Sequence, residues 1–240
     1  MKNRKIKNIK KLSILGIFFL FTNILTFSLF KKVDLKNIRI KGAALITIND
    51  ITENSSLKLP KKLIFIKTKL IEKELKQNIS LRQISITRQI FPFGLIINIQ
   101  KRMPVAFAER EENGIKIEGF IDKDGIFIKE KYVPNRENLI FPIKIFGWKE
   151  GYQKPISLII KNYKGTDDLK AIRISSEGFI TLEEKFFKKI FFGFKNQEIE
   201  EKLNLIFDLK EHFKKQKIRK KIKSLDLTDL ANPKIKVFIP

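Results

Sequence analysis

The sequence predicts an α+β protein: one N-terminal transmembrane helix, a βααββ module, and a mainly antiparallel β domain with a C-terminal helix and two closing strands. Three observations carry this. Residues 12–30 hold no charged side chain, although six Lys/Arg crowd the first eleven positions. Between 38 and 101, alternating apolar patterns bracket two stretches of helical spacing. Beyond 115, short apolar runs recur between turn residues, interrupted by one amphipathic stretch at 198–215.

Nineteen uncharged residues form a helix of about 28 Å at ~1.5 Å per residue, close to the hydrocarbon thickness of a bilayer. A cleaved secretory signal is the rival reading. Its apolar region would run about 7–15 residues and end in a small-x-small site. Here the run is longer, and its last such triplet, Thr26-Phe27-Ser28, is followed by Leu29 and Phe30. The expectation is a retained anchor at 12–30 behind a cytoplasmic tail at 1–11. Orientation is less well marked, because Lys31, Lys32, Lys36, Arg39 and Lys41 nearly match the six N-terminal cations. Long domains translocate largely regardless of flanking charge, which favours the large domain outside the cytoplasm.

The formal net charge of +24 raises the question of nucleic acid. Lysines are scattered through every segment rather than gathered on one element, and a domain outside the membrane does not meet DNA. Anionic lipid headgroups are the better match, and no nucleic-acid partner is expected. The chain has no cysteine and one histidine, His212, so it offers little for a zinc site or a nucleophile–base pair. No cofactor is expected.

Taking the elements in order, Asn37-Ile38-Arg39-Ile40-Lys41 alternates into a short strand ending at Gly42. Thr47 can cap a helix through about Ser55, with Asp50 in its first turn. Pro60 interrupts the chain, and Thr68 can cap a second helix carrying Leu70, Ile71, Leu75 and Ile79. Strands follow at 84–88 and 95–101, joined by the turn residues Phe91-Pro92-Phe93-Gly94. The polar cluster Arg110-Glu111-Glu112-Asn113-Gly114 reads as the domain boundary. Phe120-Ile121-Asp122-Lys123-Asp124-Gly125-Ile126-Phe127 has a hairpin signature. Further strands are expected at 143–146, 171–174, 179–182 and 189–192. A helix at 198–215 presents Ile199, Leu203, Ile206, Leu209 and Phe213 on one face, with Lys202 mostly off it. Two strands, 222–227 and 235–239, close the chain around Ala231-Asn232-Pro233.

The order of these motifs resembles the FtsQ/DivIB family of bacterial cell-division proteins: a short cytoplasmic tail, one span, a POTRA domain, then a β-rich domain. The POTRA portion of the resemblance rests on Ile38-Arg39-Ile40-Lys41-Gly42-Ala43, Ile86-Thr87-Arg88, Phe91-Pro92-Phe93-Gly94 and Lys101-Arg102-Met103-Pro104-Val105-Ala106. The β-domain portion rests on Asp122-Lys123-Asp124-Gly125, on Ile190-Phe191-Phe192-Gly193 followed by Lys202-Leu203, and on Leu225-Asp226-Leu227-Thr228. Thr228 stands where the family pattern has Arg. The resemblance implies a POTRA domain at 35–109 and an FtsQ-type β domain at 115–240, with nothing to match it at 129–170.

Enzymatic chemistry finds little support. Asp122-x-Asp124-Gly125 lacks the flanking ligands of a calcium loop, having Phe120 and Lys131 where these would stand. Ser55-Ser56-Leu57-Lys58 has the spacing of a penicillin-binding serine and lysine without the companion motifs. Asp167-Asp168 and Glu183-Glu184 are adjacent acids that rarely face one site, and His212 falls on or beside the charged face of its helix. The chain is expected not to be an enzyme.

Binding remains, and sheet edges are its physical means. The resemblance implies a non-enzymatic membrane scaffold of the divisome at the septum, linking early and late division proteins by strand addition and transmembrane contacts. It further implies that the last strand recruits the membrane-proximal part of an FtsB/DivIC-like coiled-coil protein that travels with an FtsL-like one. Carried over by position, the recruiting residues are Ile235, Lys236, Val237, Phe238 and Ile239, with Leu225, Asp226, Leu227 and Thr228 beside them. The bland alternative is that Val237 and Phe238 merely fill the core. A second functional reading is a POTRA-containing envelope protein that handles exported or outer-membrane polypeptides. Such a protein ordinarily ends in a membrane barrel, which the helix at 198–215 and the very basic strands disfavour.

Overall fold

The computed structural model describes residues 2–42, 45–134, 139–163, 168–195, 198–216 and 222–237, with side chains described from residue 14. The chain divides into two compact units, Met1–Lys101 and Arg102–Pro240.

The first unit opens with helix α1 (Lys2–Phe30). Among the described residues no helix is long and apolar enough to cross a membrane. The described side chains of α1 cover 14–30, about 26 Å of helix, a little short of a bilayer's ~30 Å. The start of the span expected at 12–30, and the tail at 1–11, lie outside the described side chains.

After α1 come β1 (Lys32–Val33), β2 (Ile38–Lys41), α2 (Ile48–Glu53), β3 (Lys61–Lys62), α3 (Thr68–Asn78), β4 (Gln83–Gln89) and β5 (Gly94–Gln100). The order β2-α2-α3-β4-β5 is the expected βααββ. β5 is central, parallel to β2 and antiparallel to β4. Alternation decides the buried face: Ile84 and Ile86 of β4, and Leu95, Ile97 and Ile99 of β5, are buried, as are Ile71 and Leu75 of α3, which packs on β4. Thr47 and Asp50 cap α2 reciprocally, the Asp50 N–H donating to Thr47 Oγ1 and the Thr47 N–H to Asp50 Oδ2. Thr68 is not the cap of α3; Lys67 takes that position, with no side-chain bond. A two-residue ribbon, β1 with β3, is added to the expected elements.

The second unit contains β6 (Pro104–Glu112), β7 (Ile115–Asp122), β8 (Phe127–Lys129), β9 (Lys144–Trp148), α4 (Gln153–Asn162), β10 (Leu169–Ile174), β11 (Ile180–Glu184), β12 (Lys188–Gly193), α5 (Ile199–Lys215), β13 (Ile222–Asp226) and β14 (Lys234–Val237). They build one sheet in the order β14-β13-β12-β11-β10-β9-β6-β7-β8.

Two differences from expectation stand out. The cluster at 110–114 is no linker: β6 and β7 pair antiparallel from Glu112↔Ile115 back to Pro104↔Asp122, and Asn113 and Gly114, with φ of 55° and 78°, turn the hairpin between them. Consequently Pro104-Val105-Ala106 opens the second unit instead of closing the first. Helix α4 is also additional. It joins the parallel pair β9 and β10, a connection that an extended loop seldom makes.

Helices α4 and α5 share one apolar core with the sheet, in which Ile156 and Ile159 of α4, and Leu203 and Ile206 of α5, meet Ile172, Leu182, Ile190 and Leu225. The opposite face is mixed: Arg173 pairs with Glu183 at 2.6 Å and stacks over Phe146, and Phe107 meets Phe120 edge-on.

Candidate partner-binding edge

The nine-stranded sheet terminates at β14 on one side. β14 pairs antiparallel with β13 in the register Val237↔Ile222, Lys236↔Ser224, Ile235↔Leu225 and Lys234↔Asp226. Among the described residues no strand pairs with its outer side. An edge strand turns half of its N–H and C=O groups away from its neighbour, and these accept an added strand.

Period two puts Ile235 and Val237 on one face of β14 and Lys234 and Lys236 on the other. Ile235 is half-buried and packs on the core, in a row with Leu225 and Ile190. Lys234, Lys236 and Val237 are exposed. Val237, at 48% exposure, therefore does not fill the core. Phe238 and Ile239 lie outside the described residues.

β13 supports this edge rather than forming it. Leu225 and Leu227 are wholly buried, and the Leu227 N–H donates to the Phe191 carbonyl at 2.8 Å. Asp226 is half-buried, and its Oδ1 accepts the Thr228 N–H at 3.0 Å and the Thr228 hydroxyl at 2.7 Å. The hydroxyl and then the N–H of Thr228 hold the Asp226 carboxyl below its ordinary pKa. Of the nine residues expected at the site, then, two are core, two form a turn, one is half-core, two face solvent on the edge, and two lie outside the described residues.

The same end of the sheet has a feature the sequence reading missed. Helical spacing puts Lys202 mostly off the apolar face of its helix, yet only 1% of its side chain is exposed. Its Nζ donates to the Phe192 carbonyl at 3.0 Å and lies 3.7 Å from Glu198. A long aliphatic stem lets a lysine lie along an apolar face while its head finds oxygen. A helical-wheel pattern scores only the charge, so this role was hidden.

The other candidates are structural. Asp122 braces the β7–β8 turn, its Oδ1 accepting the N–H groups of Asp124 and Ile126 at 2.9 Å each, while Oδ2 pairs with Arg102 at 2.5 Å. A hydrogen bond from Lys161 holds the Asp124 carboxyl below its ordinary pKa. Glu183 and Glu184 are separated by the strand, Glu183 pairing with Arg173 and Glu184 with Lys210. Asp168 also binds Lys210, at 2.6 Å, whereas Asp167 lies outside the described residues. The Ser55 hydroxyl donates to the Ile51 carbonyl at the end of α2. His212 is exposed and meets Gln216. Among the described residues no group of three or more metal-ligating side chains is assembled.

Residues 33–102 match the family model of the POTRA domain, FtsQ-type. The matched stretch holds the βααββ elements of the first unit and leaves out helix α1. The match ends within one residue of the division between the units at Lys101 and Arg102. It agrees with the POTRA portion of the resemblance that the motif order carries. No curated protein matches the chain.

Proposed function

We propose that this chain is a non-enzymatic scaffold of the bacterial divisome, anchored in the inner membrane by α1, with its two folded units outside the cytoplasm at the septum. It links early and late division proteins through backbone pairing at β14 and contacts in the membrane. The FtsQ-type POTRA domain supports the cell-division part of this reading. The observation that carries the binding part is β14, the terminal strand of the sheet, with exposed Lys236 and Val237. Lysines on an edge discourage self-pairing by like-charge repulsion. They favour an extended partner segment bearing acids at alternate positions. An FtsB/DivIC-like coiled-coil protein, accompanied by an FtsL-like one, is the partner this reading assigns.

The test is imaging of a fluorescent fusion during depletion, with co-purification from the same cells. Midcell signal, filamentation on depletion, and loss of the partner from a chain truncated after Lys234 are expected. Uniform envelope signal with normal division contradicts the divisome reading and favours a POTRA protein handling exported polypeptides. Full partner yield with the truncated chain contradicts the edge assignment alone.

A further inference from the structure

Helix α1 enters the POTRA domain with no slack. The Lys31 N–H still donates to the Phe27 carbonyl at 3.1 Å, β1 begins at the next residue, and the Leu63 N–H donates to the Lys31 carbonyl at 3.1 Å. The β1–β3 register then fixes Lys32 against Lys62 and Val33 against Lys61. Two further contacts gather the surroundings of this helix end. Lys62 Nζ lies 5.5 Å from the centre of the Phe30 ring, and Lys31 Nζ lies 4.9 Å from that of Phe93, in the β4–β5 turn.

Large apolar side chains nevertheless stand in solvent here. Phe91, in the same turn as Phe93, is 76% exposed, and Phe65, in the short 3-10 turn at Leu63–Phe65, is 56% exposed. Exposed aromatics rimmed by cations are what an anionic bilayer surface accepts: rings enter the headgroup–acyl boundary while lysines meet phosphate oxygens.

We propose that this face of the POTRA domain docks on anionic lipid, with Phe65 and Phe91 entering the boundary and Lys31, Lys32, Lys61 and Lys62 holding headgroup phosphates. The inference rests on α1 being the membrane anchor. Because the helix passes into β1 through one residue, a spanning α1 puts these side chains at headgroup depth. The domain would then stand on the membrane at a fixed height rather than swing from a tether.

The chain has no native cysteine, so single labelling sites can be introduced cleanly. Full-length protein carrying Phe65→Cys, Phe91→Cys, Gln77→Cys at the far end of α3, or Ile24→Cys within α1 is labelled with an environment-sensitive fluorophore. It is reconstituted into phosphatidylcholine vesicles with or without phosphatidylglycerol, and quenched with lipids brominated near the headgroup. Positions 65 and 91 should be quenched at least about twofold more than position 77, and more strongly with phosphatidylglycerol. Replacing the four lysines by glutamine should remove the phosphatidylglycerol dependence. Quenching at 24 with none above position 77 at 65 and 91 overturns the docking and leaves the anchor standing. Absence of quenching at 24 overturns the anchor and the docking with it. Shielding at 65 and 91 that appears only when partner protein is added assigns the face to protein and overturns the lipid proposal.

Discussion

Lys210 of α5 and Glu184 of β11 form an ion pair of 3.3 Å in which the glutamate side chain has no exposure. Glu184 also accepts the Phe187 N–H, and Lys210 reaches Asp168 at 2.6 Å. Helix, hairpin and following turn are thereby joined through one ammonium. Lys210→Ala strands a buried carboxylate, and breaking such a pair costs about 3–5 kcal/mol. Urea unfolding of the full chain in detergent should reveal a loss of that order. Lys214→Ala, on the exposed side of the same helix, should change stability by less than about 1 kcal/mol.

Tyr163 adjoins this cluster. Burial raises its phenol well above the ordinary pKa, and the charges of Glu184 and Asp168 push the same way. A raised folded-state pKa contributes stability that is fully present below the unfolded value, about 10, and is lost as pH climbs toward the folded one. Tyr163→Phe has no such proton to lose. Its melting temperature should fall less than that of the parent between about pH 9 and 11, and parallel profiles would contradict this role.

Asp226 behaves in the opposite sense. Its carboxyl is depressed by Thr228, so its contribution is present above about pH 4, the unfolded value, and disappears as pH falls through the folded one. Thr228→Val removes the hydroxyl and keeps the N–H. The variant should lose up to about 1 kcal/mol at neutral pH and show a shallower acid limb in unfolding experiments. It should retain the partner, because Thr228 lies in the supporting turn.

Gly125 holds the β7–β8 turn against the start of α4. It has φ of 75°, and a Cβ there would lie 2.2 Å from the Gln153 carbonyl oxygen. Its own carbonyl accepts Trp148 Nε1 at 2.9 Å. Gly125→Ala should destabilise the protein by more than about 1 kcal/mol, measured by thermal unfolding.

Local chemistry made the POTRA domain legible. The Thr47–Asp50 cap, the alternation of β4 and β5 and the Phe91–Gly94 turn each act within a few residues, and together they specify βααββ. The second unit was harder to read because its decisive relations are non-local. The polarity of Arg110–Gly114 suggests a domain boundary, although Asn113-Gly114 is a hairpin pair whose strands extend through the whole of β6 and β7. Helix α4 is ten residues long with Pro155 near its start, and polar residues before it hid the spacing of Ile156, Ile159 and Tyr163. The burial of Lys202 and Lys210 depends on oxygens ten or more residues away in sequence, beyond any periodicity. At the candidate edge the two closing strands were legible; which of Leu225, Leu227 and Val237 faced the core depended on register.

Backbone pairing along β14 can be read out by site-specific cross-linking in dividing cells. Lys236→Cys and Val237→Cys would each be paired with single cysteines stepped through the membrane-proximal segment of the proposed FtsB/DivIC-like partner, with Lys129→Cys, exposed on the opposite edge strand β8, as the reference. Cross-links that recur at every second partner position, from 236 and 237 and not from 129, are the expected result. No cross-link from β14, or equal yield from β8, would contradict the account.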